Sequence, residues 1–517
     1  MGKVIIDPIT RIEGHLKIEA VVENGKVKEA HSSGTLWRGI ELILQGRHPL
    51  DALQITQRVC GVCPQGHSQV SALNIDSALG ISDKIPKNGR LLRNLILGSN
   101  FIQSHILHFY TLAALDYVDV AACAKYTGKN PDILSIKNFV EAGELGPFVP
   151  RYDNDFRLSD ELNQELSGNY VKALKARRVA QEMLTIFGGK MPHNMAVIAG
   201  GVTERPTVSK IAQFLGKLKE LQEFIDTCYI PDVIAVAKAY GDYFSLGKGC
   251  GQYLAYGVFD LEEGNKDYLN RKRLLPSGAV NKNLNYQSVN ASKILEHVRH
   301  SWYKDQDPTH PSKGETQPQY GKTDAYSWLK SPRYEGEVYE VGPLSRMVSG
   351  YLKGEPKIKQ LVDDTLASIN GKVEYLFSIL GRHAARALET KLVADTMLEW
   401  VPQLEVGAPV FTKFEIPQTA EGAGLSEAPR GALGHWITIK DSVISKYQLV
   451  VPTTWNASPR DSDNVPGPIE QAIEGLPVKD ENKPVEIVRA VRSFDPCIAC
   501  AVHIVTPTGM TKNVVKI

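Results

Sequence analysis

The sequence predicts an α+β fold, predominantly α: a central bundle of long helices, an N-terminal β-hairpin region and small peripheral sheets. Three observations predict it. Apolar residues recur at helical spacing over residues 88–120, 161–187, 207–240 and 357–400, stretches too long for single strands. Asn24-Gly25 joins two runs of alternating apolar and polar residues, and Asn-Gly is a strong hairpin signal because both turn positions take positive φ. From 243 to 342 the pattern shortens into strand-length segments separated by loops.

Taken in order, residues 3–35 form the hairpin region and contain Arg11-Ile12-Glu13-Gly14-His15. By itself Glu13 reads as half of a surface ion pair. Trp37-Arg38-Gly39-Ile40-Glu41 opens a helix in which Ile40, Leu42, Ile43 and Leu44 look buried. Glu41 would then lie among apolar neighbours, where a carboxylate needs a partner or a metal; taken singly, it reads as partly exposed. Residues 49–80 read as helix around Cys60 and Cys63, with Gly80 as the stop. The 88–120 helix is long enough for the centre of a bundle. Residues 127–160, rich in Gly, Pro and Asp, read as loop. After the next helix come the glycine-rich turns Gly188-Gly189 and Gly200-Gly201, which lack the spacing of a phosphate loop. Pro206 fits the first turn of the 207–240 helix. Helices resume at 343–353 and 357–400, and the last hundred residues read as loops and short strands. With no repeat, low-complexity tract or linker, one interlocked body is expected.

Composition narrows the function. Lysine and arginine number 59 against 58 acidic residues, which gives no electrostatic reason for nucleic acid or an acidic membrane surface as the main partner. Seven cysteines in 517 residues are not a disulfide scaffold. Met1 to Asp7 shows no basic region followed by an apolar one, so no signal peptide of its own is expected. The run from Leu91 to Ala122 is interrupted by Arg93, Asn94, Gln103, His105, His108 and Asp116, which argues against a lipid-spanning helix.

The chemistry lies in two C-x-x-C pairs at opposite ends of the chain. Arg58-Val59-Cys60-Gly61-Val62-Cys63 is followed by His67, and Asp495-Pro496-Cys497-Ile498-Ala499-Cys500 by His503. Cys123, Cys228 and Cys250 are isolated and read as small buried hydrophobes. Four thiolates admit a structural zinc site, two redox dithiols, or a catalytic site for a soft redox-active metal such as nickel or iron. On spacing alone zinc leads. Structural zinc usually clips a small local unit, however, and each pair here carries a charged residue and a histidine, a setting more typical of a reactive centre.

The two cysteine motifs closely resemble the metal-binding signatures of the large subunit of nickel-iron hydrogenases, of the respiratory uptake type. The resemblance extends over Arg11 to His15, Arg38 to Glu41, the Gly188 to Thr203 turns, Tyr326 to Arg346, Ala428 to Trp436 and Pro452 to Asn456. It implies that Cys60, Cys63, Cys497 and Cys500 bind nickel, with Cys63 and Cys500 bridging to an iron that carries CO and cyanide. It further implies heterolytic H2 cleavage with Cys497 as base and Glu13 as the onward proton carrier. Arg430 would lie over the site, oriented by Asp495. Thr453 would bond a cyanide, Pro429 and Leu433 would enclose the diatomic ligands, and His67 would bond a bridging sulfur. Glu41, the Leu449 carbonyl and His503 would hold magnesium. Where many members have Asp before the His-x-x-His of the long helix, this chain has Ser104 before His105, so the bonding around Arg430 should differ.

The resemblance also implies a catalytic body over 1–503 and a propeptide over 504–517, cut between His503 and Ile504 by a maturation endopeptidase. Electrons would leave through an iron-sulfur small subunit, toward a membrane cytochrome or a quinone-linked acceptor. Export with that subunit would place the enzyme on the periplasmic side of the membrane; a cytoplasmic enzyme is the alternative. The rival readings are an H2 sensor with the same site, a metal-free scaffold like the related subunit of respiratory complex I, and the four-cysteine zinc protein.

Overall fold

The computed structural model describes residues 2–501. The Cys500 side chain and everything from residue 502 onward, including His503, Ile504 and the expected propeptide, lie outside the described residues. β1 (Gly2–Ile6), β2 (Leu16–Glu23) and β3 (Lys26–Gly34) form an antiparallel sheet in that order. Leu16, Ile18, Ala20 and Val22 of β2 are buried, as a strand with one face on the core requires. The turn is Asn24-Gly25 at φ 51° and 72°, as the dipeptide predicts.

α1 (Ile40–Ile43) is a single turn. Ile40 and Leu44 are buried but Ile43 is 42% exposed, so only one side of this apolar run meets the core. The helix expected over 49–80 is instead two, α2 (Asp51–Gln57) and α3 (Pro64–Ala78), and the break falls on the first cysteine pair. Pro64 disfavours helical backbone in the residue before it. Cys63 accordingly sits at φ −118°, ψ 37°, and Pro64 begins α3 afresh.

α4 (Lys87–Leu107) runs on through a wider π turn, His108–Ala113. The segment 127–160 is not all loop, because α5 (Pro131–Glu141) lies within it. Asn130 caps α5 by accepting from the Asp132 N–H at 3.0 Å, a start signal masked by the surrounding Gly, Pro and Asp. α6 (Asp160–Gly188) leads to β4 (Val197–Ile198) and β5 (Gly201–Val202), which pair across the second glycine turn. α7 (Val208–Phe224) and α8 (Ile230–Ala239) follow. Thr207 caps α7, its Oγ1 accepting from the Lys210 N–H at 3.3 Å, so Pro206 stands one residue outside the helix it was expected to open.

The strand-length segments are β6 (Tyr253–Ala255), β7 (Val258–Asp260), β8 (Arg273–Leu275), β9 (Gly278–Val280), β10 (Tyr286–Gln287), β11 (Ile294–His297), β12 (Ser331–Tyr334) and β13 (Glu340–Val341). They make one four-stranded and two two-stranded sheets. Then come α9 (Pro343–Lys353), α10 (Pro356–Ser368) and α11 (Ile379–Trp400). The single helix expected over 357–400 is divided. Ser378 caps a new start, its Oγ accepting from the Gly381 N–H at 3.0 Å. α4 packs between α6 and α11, forming the expected central bundle.

The last hundred residues depart furthest from expectation. β14 (Thr419–Ala428), β15 (Gly431–Lys440) and β16 (Val443–Val450) form a three-stranded antiparallel sheet. α12 (Pro452–Asn456), α13 (Pro468–Ile473), α14 (Val485–Ser493) and α15 (Ile498–Ala501) follow it. β14 lies so close to α3 that a Cβ on Gly424 would stand 2.3 Å from the Val70 carbonyl oxygen. That contact fixes α3, and with it the turn bearing Cys60 and Cys63.

Candidate metal centre

The fold brings the two ends of the chain together at the cysteines. Glu13 and Cys497 form a parallel backbone bridge. The Glu13 N–H donates to the Pro496 carbonyl at 3.3 Å, and the Ile498 N–H to the Glu13 carbonyl at 2.7 Å. Gly14, at φ 81°, permits this approach, since a Cβ there would lie 2.6 Å from the Ala499 nitrogen. The sulfurs of Cys60, Cys63 and Cys497 lie within 4.8 Å of one another, all three residues buried. Cys60 Sγ and Cys497 Sγ are 3.4 Å apart. The N–H groups of Val62 and Cys63 both donate to Cys60 Sγ at 3.2 Å.

Glu13 is no surface residue pairing with Arg11. Its Oε2 accepts from Cys497 Sγ at 3.2 Å and from the Ala499 N–H at 3.0 Å. Burial, followed by the Cys60 sulfur, raises its carboxyl above the ordinary value, while the hydrogen bonds from Cys497 and Ala499 act in the opposite direction.

Arg430 occupies the two-residue turn between β14 and β15 and is 2% exposed. Its Nε donates to the Asp495 carbonyl at 3.0 Å and its Nη2 to Asp495 Oδ1 at 2.9 Å. Nη1 meets Ser104 Oγ at 3.4 Å, so the residue replacing the usual acid does reach the guanidinium, without charge. Burial opposes the Arg430 charge, but Asp495 and the sulfurs of Cys497, Cys63 and Cys60 outweigh it and hold its pKa well above the ordinary value.

Thr453, Pro429, Leu433 and His67 are buried as well. Thr453 Oγ1 accepts from the Cys497 N–H at 3.0 Å, leaving its hydroxyl hydrogen for another acceptor. Pro429 is buried beside Arg430, and Leu433 is fully buried in β15. His67 is fully buried, and burial lowers its pKa to about 4, which keeps the ring neutral. Its Nδ1 lies 3.4 Å from His435 Nε2, while its Nε2 has no partner among the described residues.

Glu41 is buried away from the sulfurs. Its Oε1 accepts from the Leu449 N–H at 3.0 Å and its Oε2 from the Thr316 hydroxyl. A small cavity beside it is lined by Glu41, Glu296, Lys330 and Leu449. Two carboxylates there suit a hard cation, although Lys330 already pairs with Glu296 at 3.1 Å.

Three sets of residues escaped sequence reasoning. Arg38 ties the two cysteine loops together: Nη2 donates to the Val59 carbonyl and, at 2.7 Å, to the Ala499 carbonyl. Arg346, fully buried, pairs with Glu389 at 2.6 Å and Glu427 at 2.7 Å and donates to the Pro429 carbonyl at 2.8 Å, which fixes the turn bearing Arg430. His435 backs His67, and its Nδ1 lies 2.9 Å from the Tyr447 hydroxyl. A charged residue inside an apolar stretch was the available signal, but nothing in sequence spacing names its partner.

A family model described as nickel-dependent hydrogenase matches residues 38–503, and a second, described as HoxL-like, matches residues 3–33. The chain belongs to the nickel-dependent hydrogenase family. The periplasmic [NiFeSe] hydrogenase large subunit of Desulfomicrobium baculatum is 41% identical over 100% of this chain and 97% of its own length. The quinone-reactive Ni/Fe-hydrogenase large chain of Wolinella succinogenes is 35% identical over 98% and 96%, and the hydrogenase-2 large chain of Escherichia coli K12 is 36% identical over 100% and 99%. The reduced-state structure of the Ni-Fe-Se hydrogenase of Desulfovibrio vulgaris Hildenborough superposes with a TM-score of 0.86 at 40% identity, covering 97% of this chain and 100% of that one.

The hydrogenase chain is therefore the large, catalytic subunit of an oxidoreductase acting on H2, in a family whose large subunits pair with a small one. The family implies nickel and iron at the site. The residues fit: three buried soft sulfurs converge, and a buried cation balances their charge.

Proposed function

We propose that this large subunit cleaves H2 heterolytically at the thiolate cluster, with Cys497 taking the proton at Sγ and Glu13 carrying it onward. The observation that carries the reading is the 3.2 Å contact between Cys497 Sγ and Glu13 Oε2, inside a shell where Cys60 and Cys63 are equally buried. Cys60, Cys63, Cys497 and Cys500 would hold nickel, with Cys63 and Cys500 also serving the iron, and the pair would supply the Lewis acidity and redox capacity for the reaction. The protein does the rest. It excludes water, sets the distance between thiolate and carboxylate through the backbone bridge, and holds Arg430 where positive charge stabilises the electron-rich site.

Iron-bound CO and cyanide fit the surrounding donors. The Arg430 fork and the Thr453 hydroxyl serve the cyanides, Pro429 and Leu433 enclose the ligands, Asp495 orients Arg430, and the unpartnered His67 Nε2 serves a bridging sulfur. Magnesium would sit by Glu41 with the Leu449 carbonyl and His503. Electrons would leave through an iron-sulfur small subunit. Periplasmic and quinone-reactive relatives favour a site outside the cytoplasm and a membrane-linked acceptor. No helix among the described residues is long and apolar enough to cross a membrane.

Metal analysis with infrared spectroscopy tests the centre. Nickel and iron with bands from bound CO and cyanide are expected; zinc alone would sink the reading. Glu13→Gln should lower H2 turnover about 10²-fold or more with nickel and iron retained, and unaltered turnover would remove Glu13 from the path. Residues 504–517 are proposed to be cut away by a maturation endopeptidase after His503. An intact mass for the active subunit that ends at His503 is expected, and one that includes Ile517 would contradict this.

A further inference from the structure

We propose that Asp116 is a positioning residue for proton transfer, holding the segment that carries Glu13 against the segment that carries Cys497. The inference rests on the relay proposed above. Asp116 is fully buried, and its Oδ1 accepts from two guanidiniums, Arg11 Nη2 at 2.5 Å and Arg492 Nη1 at 2.6 Å. The two arginines come from the two segments that must meet. Arg11 precedes Glu13 by two residues, and Arg492 lies near the end of α14, just before Cys497.

Arg492 also reaches across directly. Its Nε and Nη2 donate to the Thr10 carbonyl at 3.0 and 2.9 Å, and Nη2 to Thr10 Oγ1 at 3.0 Å. On the far side of this clamp lie the backbone bonds from Glu13 to Pro496 and from Ile498 to Glu13. The contacts form one ladder, with the shared carboxylate at one end and the Cys497–Glu13 contact at the other.

Two features make Asp116 more than an incidental partner. Arg11 holds φ 54°, a left-handed conformation that a non-glycine residue keeps only when its surroundings impose it. The Asp116 carboxylate also stands between two buried cations, which would be left facing each other without it. Charge-assisted bonds to guanidinium forks are short and directional, so the clamp fixes orientation as well as distance. A displacement of about 1 Å at a reacting pair can cost about 10²-fold in rate.

The test uses the assembled, metal-loaded enzyme with its small subunit. Asp116→Asn should retain nickel and iron, leave KM for H2 unchanged and lower kcat by about 10-fold to 100-fold. It should raise the solvent isotope effect and speed amide exchange in peptides spanning 10–14 and 495–499. Arg11→Gln, which leaves the Arg492–Asp116 pair in place, should show smaller changes of the same sign, and it decides by the same criteria if Asp116→Asn does not assemble. Unchanged kcat or unchanged exchange would overturn the proposal, as would a fall in kcat that only tracks lost metal. Glu13→Gln measured alongside separates the two claims: full turnover there removes the relay, whereas lost turnover there with normal Asp116→Asn removes only the clamp.

Discussion

Cys497→Ser is expected to abolish H2 turnover and to strip most of the nickel from the purified enzyme. The sulfur does two things in this geometry that a hydroxyl cannot. It is a soft donor beside Cys60 and Cys63, and serine offers a hard oxygen that is not ionised at neutral pH. It is also the atom from which Glu13 receives a proton, at 3.2 Å, and the shorter serine side chain would widen that gap. Nickel and iron content with an H2-dependent dye assay checks both effects together. A serine variant that keeps its nickel and a substantial fraction of its turnover would show that Cys497 is neither ligand nor base.

The second large effect is expected at Arg430. Arg430→Lys preserves one positive charge but loses the fork. A single ammonium cannot reproduce both the bond to the Asp495 carbonyl and the bond to its carboxylate, and it leaves the carboxylate underpaired in a dry pocket. Losing one preorganised donor from such a site typically costs about 10²–10³ in kcat. We expect a loss in that range, with the metals retained and KM for H2 little changed. Equal activity in the lysine variant would mean that only the charge matters and that the fork's geometry does not.

Much of the site could be read in the sequence because its chemistry is concentrated in short motifs. The two C-x-x-C pairs pointed to the place where Cys60, Cys63 and Cys497 converge, and Glu13, Arg430, Thr453 and Asp495 lie at or beside it, with His67 buried in α3. The bland reading of Glu13 failed because a single sequence cannot show that the end of the chain returns to cover residue 13. Arg38 and Arg346 were missed for the same reason, since each acts on a carbonyl far off in sequence, 461 residues away for Arg38 and 83 for Arg346.

The fold was readable where periodicity is strong, as in the Asn24-Gly25 hairpin and the long helices. It failed at the C-terminal sheet. Gly422, Gly424, Gly431 and Gly434 weaken the strand pattern of β14 and β15, yet Gly422 and Gly424 are there because α3 packs directly on the strand. The same logic hid the break at Cys63, where a proline that usually signals an end marks a beginning.

The backbone bridge between Glu13 and Cys497 has a consequence for how this region can change. Side chains alternate from one side of an extended segment to the other, so slipping the pairing by one residue would turn Glu13 away from the sulfur. The stretches from Pro8 to Gly14 and from Ser493 to Ala499 should therefore accept no insertion or deletion, even at positions other than Arg11, Glu13, Gly14, Asp495 and Cys497 where a single replacement is tolerated. Over time their lengths would stay fixed while their neighbours drift.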